Sequence, residues 1–157
     1  EYLVTLFGKL HGVNDVHGVV LDLGCGPGDV VERFLKRYPS SSVLGVDGSP
    51  AMLALAEERL ERDDRLTGRW ELLCSVIPSE KIPARGYAAI VSTGTLHHFH
   101  EPLGFWWELR RLATAGTKVL IWDLRRPESN AEAHRIVEQY APDAPPILKR
   151  DFHHSLL

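Results

Sequence analysis

The stretch Val19-Val20-Leu21-Asp22-Leu23-Gly24-Cys25-Gly26-Pro27-Gly28 narrows the choice of fold more than any other part of the chain. A short apolar run ends in an acid and then in glycines at every second position. Val and Leu fill both faces of the run, which predicts a buried parallel strand. The glycines predict a tight turn where backbone comes close to something, because a Cβ would be in the way. Directly after the turn, Asp29 to Tyr38 places Val30, Phe34 and Tyr38 on one helical face with Val31 and Leu35 beside them. Strand, glycine turn and helix in this order form the ligand cradle of open α/β sheets.

The remaining elements follow from the same periodicities. Glu1 to Gly12 reads as a helix with Leu3, Leu6, Phe7 and Leu10 on one side. After a loop at 39–42, Val43 to Asp47 is a second strand that also ends in an acid. Pro50 to Arg62 is a helix facing inward through Leu53, Ala56 and Leu60. Strands are predicted at Arg69 to Ser75, Tyr87 to Thr93 and Thr117 to Asp123. Leu103 to Ala113 is a helix with Trp106, Leu109 and Ala113 on one side and Phe105 beside them. Asn130 to Tyr140 is a polar helix, and Ala141 to Pro146 is a proline-rich break.

The ligand of the cradle can be tested in place. A dinucleotide turn, G-x-G-x-x-G, counted from Gly24 would need its third glycine where Asp29 stands. Pyrophosphate needs bare amides at a helix N-terminus. Pro27 removes one amide and Asp29 adds a negative charge, which argues against a nicotinamide-dependent oxidoreductase. Asp47 lies 19 residues after Gly28, close to the spacing of about 20 at which a second strand brings a carboxylate to ribose hydroxyls. Ser49-Pro50 already supplies the cap of the next helix, which leaves Asp47 without a structural task.

Asp22, Gly24, Gly26 and Gly28 resemble, residue for residue, motif I of the class I S-adenosylmethionine-dependent methyltransferases, Asp-x-Gly-x-Gly-x-Gly. The segment Val46 to Leu53 and the segment Ser92-Thr93-Gly94-Thr95-Leu96-His97-His98 resemble later regions of the same family, in the same order. The resemblance implies a Rossmann-like three-layer α/β sandwich with a mostly parallel sheet. It implies S-adenosylmethionine as cofactor, seated against Asp22, Gly24, Cys25, Gly26 and Gly28, with Gly48 and Met52 at the adenine. Ser75 and Val76 stand where many members carry an acid for the adenine amino group, and Ala88 stands where members usually carry Asp. Thr93 ends the strand that lines the transfer site. The family sheet has seven strands and only five are legible here, so residues 1–157 are expected to be a single domain cut short of its last two strands.

Methyl transfer from a sulfonium mainly needs positioning, and a base only where the acceptor must lose a proton. His97 and His98 are the candidate catalytic residues, since imidazole titrates near neutrality. His97, His98, His100 and Glu101 match no standard zinc ligand spacing, so no metal is expected. Neither Cys25 nor Cys74 follows a proline, and no Asp/Asn-Pro-Pro-Tyr/Phe follows the fourth strand. By the resemblance, both departures point to a small-molecule acceptor. Arg125-Arg126 is a candidate pair for an acidic one. The rival reading is a cofactor-binding, non-catalytic subunit. The net charge of −3 gives no general pull toward nucleic acid. No apolar run approaches a membrane span, and two cysteines make no disulfide framework, so a reducing, cytoplasmic setting is expected.

Overall fold

A computed structural model describes residues 2–125 and 127–156. Five strands form one sheet, β1 (Gly18–Leu23), β2 (Ser41–Asp47), β3 (Trp70–Cys74), β4 (Ala89–Thr93) and β5 (Lys118–Trp122). Their order is β3-β2-β1-β4-β5, and every neighbouring pair is parallel. The helices are α1 (Tyr2–His11), α2 (Asp29–Arg37), α3 (Pro50–Glu61), α4 (Pro102–Leu112), α5 (Asn130–Tyr140) and α6 (Pro146–Leu156). β2 begins two residues earlier than the sequence suggests, and β4 begins at Ala89, with Tyr87 buried just ahead of it.

Period-two alternation sorts the strand side chains onto two faces. Val20, Val43, Ala89, Val91 and Leu120 pack beneath α1, α2 and α3. Leu21, Leu23, Leu44, Val46 and Ile90 pack against Phe105 and Leu112 of α4. The result is the three-layer arrangement that parallel sheets require to bury both faces. Strand order reverses between β1 and β4, so the loops leaving these two strands diverge to opposite faces and leave a crevice between them. No helix among the described residues is long and apolar enough to cross a membrane.

Two helix faces differ from the periodic reading. In α1 the buried residues are Val4 and Phe7, while Leu10 is 62% exposed. In α4 the inward stripe is Phe105, Glu108 and Leu112, and Trp106 turns outward. The charged residue in the middle of that stripe conceals it from a hydrophobicity pattern. Glu108 is buried because Arg111 meets it at 2.7 Å and 2.9 Å and the Ser79 amide donates to it. The sequence also left the last residues without an element. There Pro146 opens α6, which packs on α5 through Ala133, Val137 and Leu156.

α1 is joined to α2 by an aromatic cluster. Phe34 lies 5.2 Å from Phe7 and 4.7 Å from Tyr38, centroid to centroid. The Tyr38 hydroxyl, buried with them, donates to the Val4 carbonyl at 3.1 Å. Phe34→Ala leaves a cavity between three elements and is expected to cost about 3–5 kcal/mol, read as a lower midpoint in urea denaturation.

Candidate functional site

The crevice at the carboxyl ends of β1, β2 and β4 holds a cavity of about 800 Å³. Two glycines of the turn after β1 lack a side chain for different reasons. A Cβ on Gly24, which has φ +77°, would land on the Thr95 side chain from the facing loop. A Cβ on Gly28, also at φ +77°, would press on Ala56 of α3 at 3.0 Å. Gly24 thus lets two loops close on each other, and Gly28 lets α2 and α3 pack. Gly26 offers its amide to Asp47 Oδ2 at 2.9 Å, while Asp47 Oδ1 accepts from Ser49 N at 2.8 Å.

Asp47 therefore has a structural task that the sequence reading denied it, in addition to facing the cavity. A carboxylate has about four acceptor positions, so two backbone amides leave capacity for two hydroxyls. Ser49 caps α3 as expected, accepting from Met52 N at 3.4 Å. Of the residues picked out in the sequence, Gly24, Cys25, Gly26, Asp47, Gly48, Met52, Ser75, Val76, Thr93 and His98 line the cavity together. Asp22, Gly28 and His97 do not. Cys25 is buried, which holds its thiol above the ordinary range and keeps it protonated. Arg125 pairs with Glu128 at 3.1 Å on the exposed surface, and Arg126 lies outside the described residues.

Asp22 is fully buried beneath the turn, and neither of its carboxylate oxygens has a hydrogen-bond partner among the described residues. Burial pushes its pKa up to about 7, and the nearby charge of Asp47 adds to the shift. An acid held in this way favours a positively charged ligand, which would stabilise its ionised form. A turn poor in free amides, with acids beneath it and beside it, fits a cationic sulfonium compound better than a pyrophosphate.

The facing loop is organised by Asp123, which the sequence reading made the last residue of the fifth strand and gave no role. Its Oδ2 accepts from Thr95 N at 2.8 Å and Leu96 N at 2.6 Å. Its Oδ1 accepts from Leu124 N at 2.7 Å and meets His97 Nδ1 at 2.7 Å. Burial opposes the charged form of Asp123, but the hydrogen bonds from His97 and the three amides outweigh it and hold the carboxyl below its usual range. An acid at the carboxyl end of a strand, as Asp47 is in β2, was the available signal. His98 sits beside His97 and is held below the ordinary imidazole range, first by burial and then by the His97 charge.

Residues 20–116 match a family described as "Methyltransferase domain". The chain belongs to the class I S-adenosylmethionine-dependent methyltransferase family. It is similar to the trans-aconitate 2-methyltransferase of Variovorax paradoxus, 33% identical over 129 residues that make up 80% of this chain and 45% of that protein. Its fold is that of the plantazolicin methyltransferase BpumL, solved in complex with SAH, with TM-score 0.72 and 19% identity over 99% of this chain and 55% of the other. A SAM-dependent methyltransferase from Aquifex aeolicus aligns with TM-score 0.64 and 24% identity, over 88% of this chain and 78% of the other. The chain thus spans about half the length of the first two relatives.

The raised pKa of Asp22 has a definite consequence for stability. Between the unfolded value of 3.8 and about 7 the folded state holds a proton that the unfolded state has released. The contribution of Asp22 is therefore fully present below the unfolded value and is lost as pH rises through the folded one. Compared with Asp22→Asn, the parent should lose stability across this window by a few kcal/mol and run parallel to the variant above it. Urea midpoints of both proteins from about pH 4 to pH 8 measure the difference.

Proposed function

We propose that the chain binds S-adenosylmethionine in the 800 Å³ cavity and presents its methyl group to a small-molecule acceptor. The observation that carries this reading is the glycine turn set between two acids, Asp22 beneath it and Asp47 across it. The cofactor supplies a methyl group already activated on a sulfonium. The protein's part is to place an acceptor atom about 3 Å from that methyl, in line with the bond that breaks.

In this reading Asp47 receives the ribose hydroxyls on the lone pairs that Gly26 N and Ser49 N leave free. Gly48, Met52, Ser75 and Val76 border the adenine end, and Ser75, whose hydroxyl donates to Val76 O at 3.1 Å, keeps its oxygen lone pairs for an amino group. Asp22 answers the positive charge from below. Gly24, Cys25 and Gly26 line the methionine end, and Gly28 supports it by letting α3 approach. Thr93 and His98 stand at the opposite wall, where an acceptor would meet the methyl. The similarity to a trans-aconitate 2-methyltransferase supports an acceptor of small size.

Calorimetry with S-adenosylhomocysteine and with NAD tests the cofactor: the first should bind and the second should not. Asp47→Ala removes charge-assisted hydrogen bonds worth roughly 1.5–3 kcal/mol, a loss of about tenfold to a hundredfold in S-adenosylhomocysteine affinity. An Asp47→Ala protein that binds as well as the parent would refute the ribose assignment. Transfer of a labelled methyl to a panel of small hydroxyl, thiol, amine and carboxylate compounds, trans-aconitate among them, tests the acceptor class. Turnover confined to protein or nucleic acid would overturn it.

A further inference from the structure

Beside the cofactor cavity lies a smaller one of about 320 Å³, and the two share Phe99 and His100 as walls. His98 lines the larger cavity, and His97 and Asp123 line the smaller. The two imidazoles are in ring contact, with centroids 3.9 Å apart. α6 contributes Ser155 and Leu156 to the smaller cavity, whose other walls are four apolar side chains beside His97, His100 and Asp123.

The polar atoms here are arranged with a direction. Asp123 and His97 are joined at 2.7 Å, with side chains only 11% and 12% exposed. A carboxylate can only accept, so the hydrogen of this bond belongs to His97 Nδ1. The lone pair of a neutral His97 is then on Nε2, which makes no hydrogen bond among the described residues. An imidazole oriented by a largely shielded acid, with its far nitrogen open, is the geometry of a general base. Three backbone amides hold Asp123 in place, so its direction is built into the loop.

We propose that the smaller cavity seats the apolar body of the methyl acceptor, whose hydroxyl or thiol nucleophile reaches past the shared Phe99 and His100 to the methyl beside His98, and that His97 Nε2, oriented by Asp123, takes its proton. This rests on reading the larger cavity as the cofactor's seat. The acceptor's O–H or S–H bond breaks toward Nε2, and the freed electron pair forms the new bond to the methyl carbon. The sulfonium sulfur keeps the pair of the bond that breaks and leaves as a thioether. The imidazolium, next to Asp123, later returns the proton to water. His97 is faced by Asp123 from the loop after β5 and by His98 and His100 from its own loop, while Asp47 of β2 acts on His98 across the larger cavity. Asp123 is a positioning residue in this scheme, since it acts only through His97.

Nitrogen-15 histidine NMR on the full chain tests the proposal without a known acceptor. Neutral His97 should carry its hydrogen on Nδ1, and Asp123→Asn, whose amide can donate, should move it to Nε2. Phenol, as a minimal hydroxyl probe, should shift His97 Nε2 more than any other histidine nitrogen. Ser155→Trp, which fills the smaller cavity, should abolish that shift and leave S-adenosylhomocysteine binding unchanged. A hydrogen on Nε2 in the unaltered chain, or phenol shifts confined to His98 or absent, would overturn the proposal. Should Asp123→Asn fail to fold, the unaltered chain and Ser155→Trp still decide it. Failure of S-adenosylhomocysteine to bind would instead strike the cofactor reading, leaving the phenol result to stand alone. With an acceptor from the panel, His97→Ala should lower turnover by about 10²–10⁴ and remove the acid limb of the pH profile. A purely structural His97 would leave that limb in place.

Discussion

The bond from Gly26 N to Asp47 Oδ2 ties the end of β1 to the end of β2, and the shape of the cavity depends on it. A glycine turn has little stiffness of its own, because its residues lack the side chains that would restrict them. Here the amides of Gly24 and Cys25 both donate to the Val46 carbonyl, at 2.8 Å and 3.0 Å, and Gly26 N goes to the next residue's carboxylate. The turn is thereby laid along the end of β2 as if the ladder continued into it. The other oxygen of Asp47 takes Ser49 N and starts α3, whose Ala56 in turn touches Gly28. One carboxylate thus coordinates the turn, the strand end and the entry to a helix.

The same device recurs across the crevice. Asp123 follows β5 as Asp47 ends β2, and it gathers the amides of Thr95, Leu96 and Leu124. Carboxylates drawn out of water are costly unless donors surround them, and these two, both partly buried, have donors from the backbone. Asp22 differs, with no donor to either oxygen among the described residues. The contrast separates acids whose hydrogen bonds shape the site from one that is buried beneath it without a donor among the described residues. It also explains why a flexible, glycine-rich region can hold a defined shape: its hydrogen bonds run to strand ends that the core already fixes.

Much of this was legible along the chain. The turn, its flanking strand and helix, the acid after β2, and the family resemblance all lie within contiguous segments, where spacing alone carries the information. The departures lie where information is not local. Trp106 outranks Glu108 in any hydrophobicity pattern, yet Glu108 is the buried one because Arg111 and Ser79 N satisfy it. α6 carries two histidines, a lysine, an arginine and an acid in eleven residues, and the apolar surface that orders it comes from α5.

The sequence by itself determined the parallel α/β framework and the chemistry of the cradle. Period-two strands and glycine spacing are properties of short segments, and their residue types allow few alternatives. Tertiary structure alone decided which residues share a wall. The sequence set His97 and His98 side by side as equivalent candidates. The fold sends them to different cavities, because Asp123, distant in sequence but adjacent at the end of β5, binds one ring and leaves the other facing the turn. It likewise divided the glycines between loop closure and helix packing, since what a missing Cβ admits depends on the element that stands opposite it.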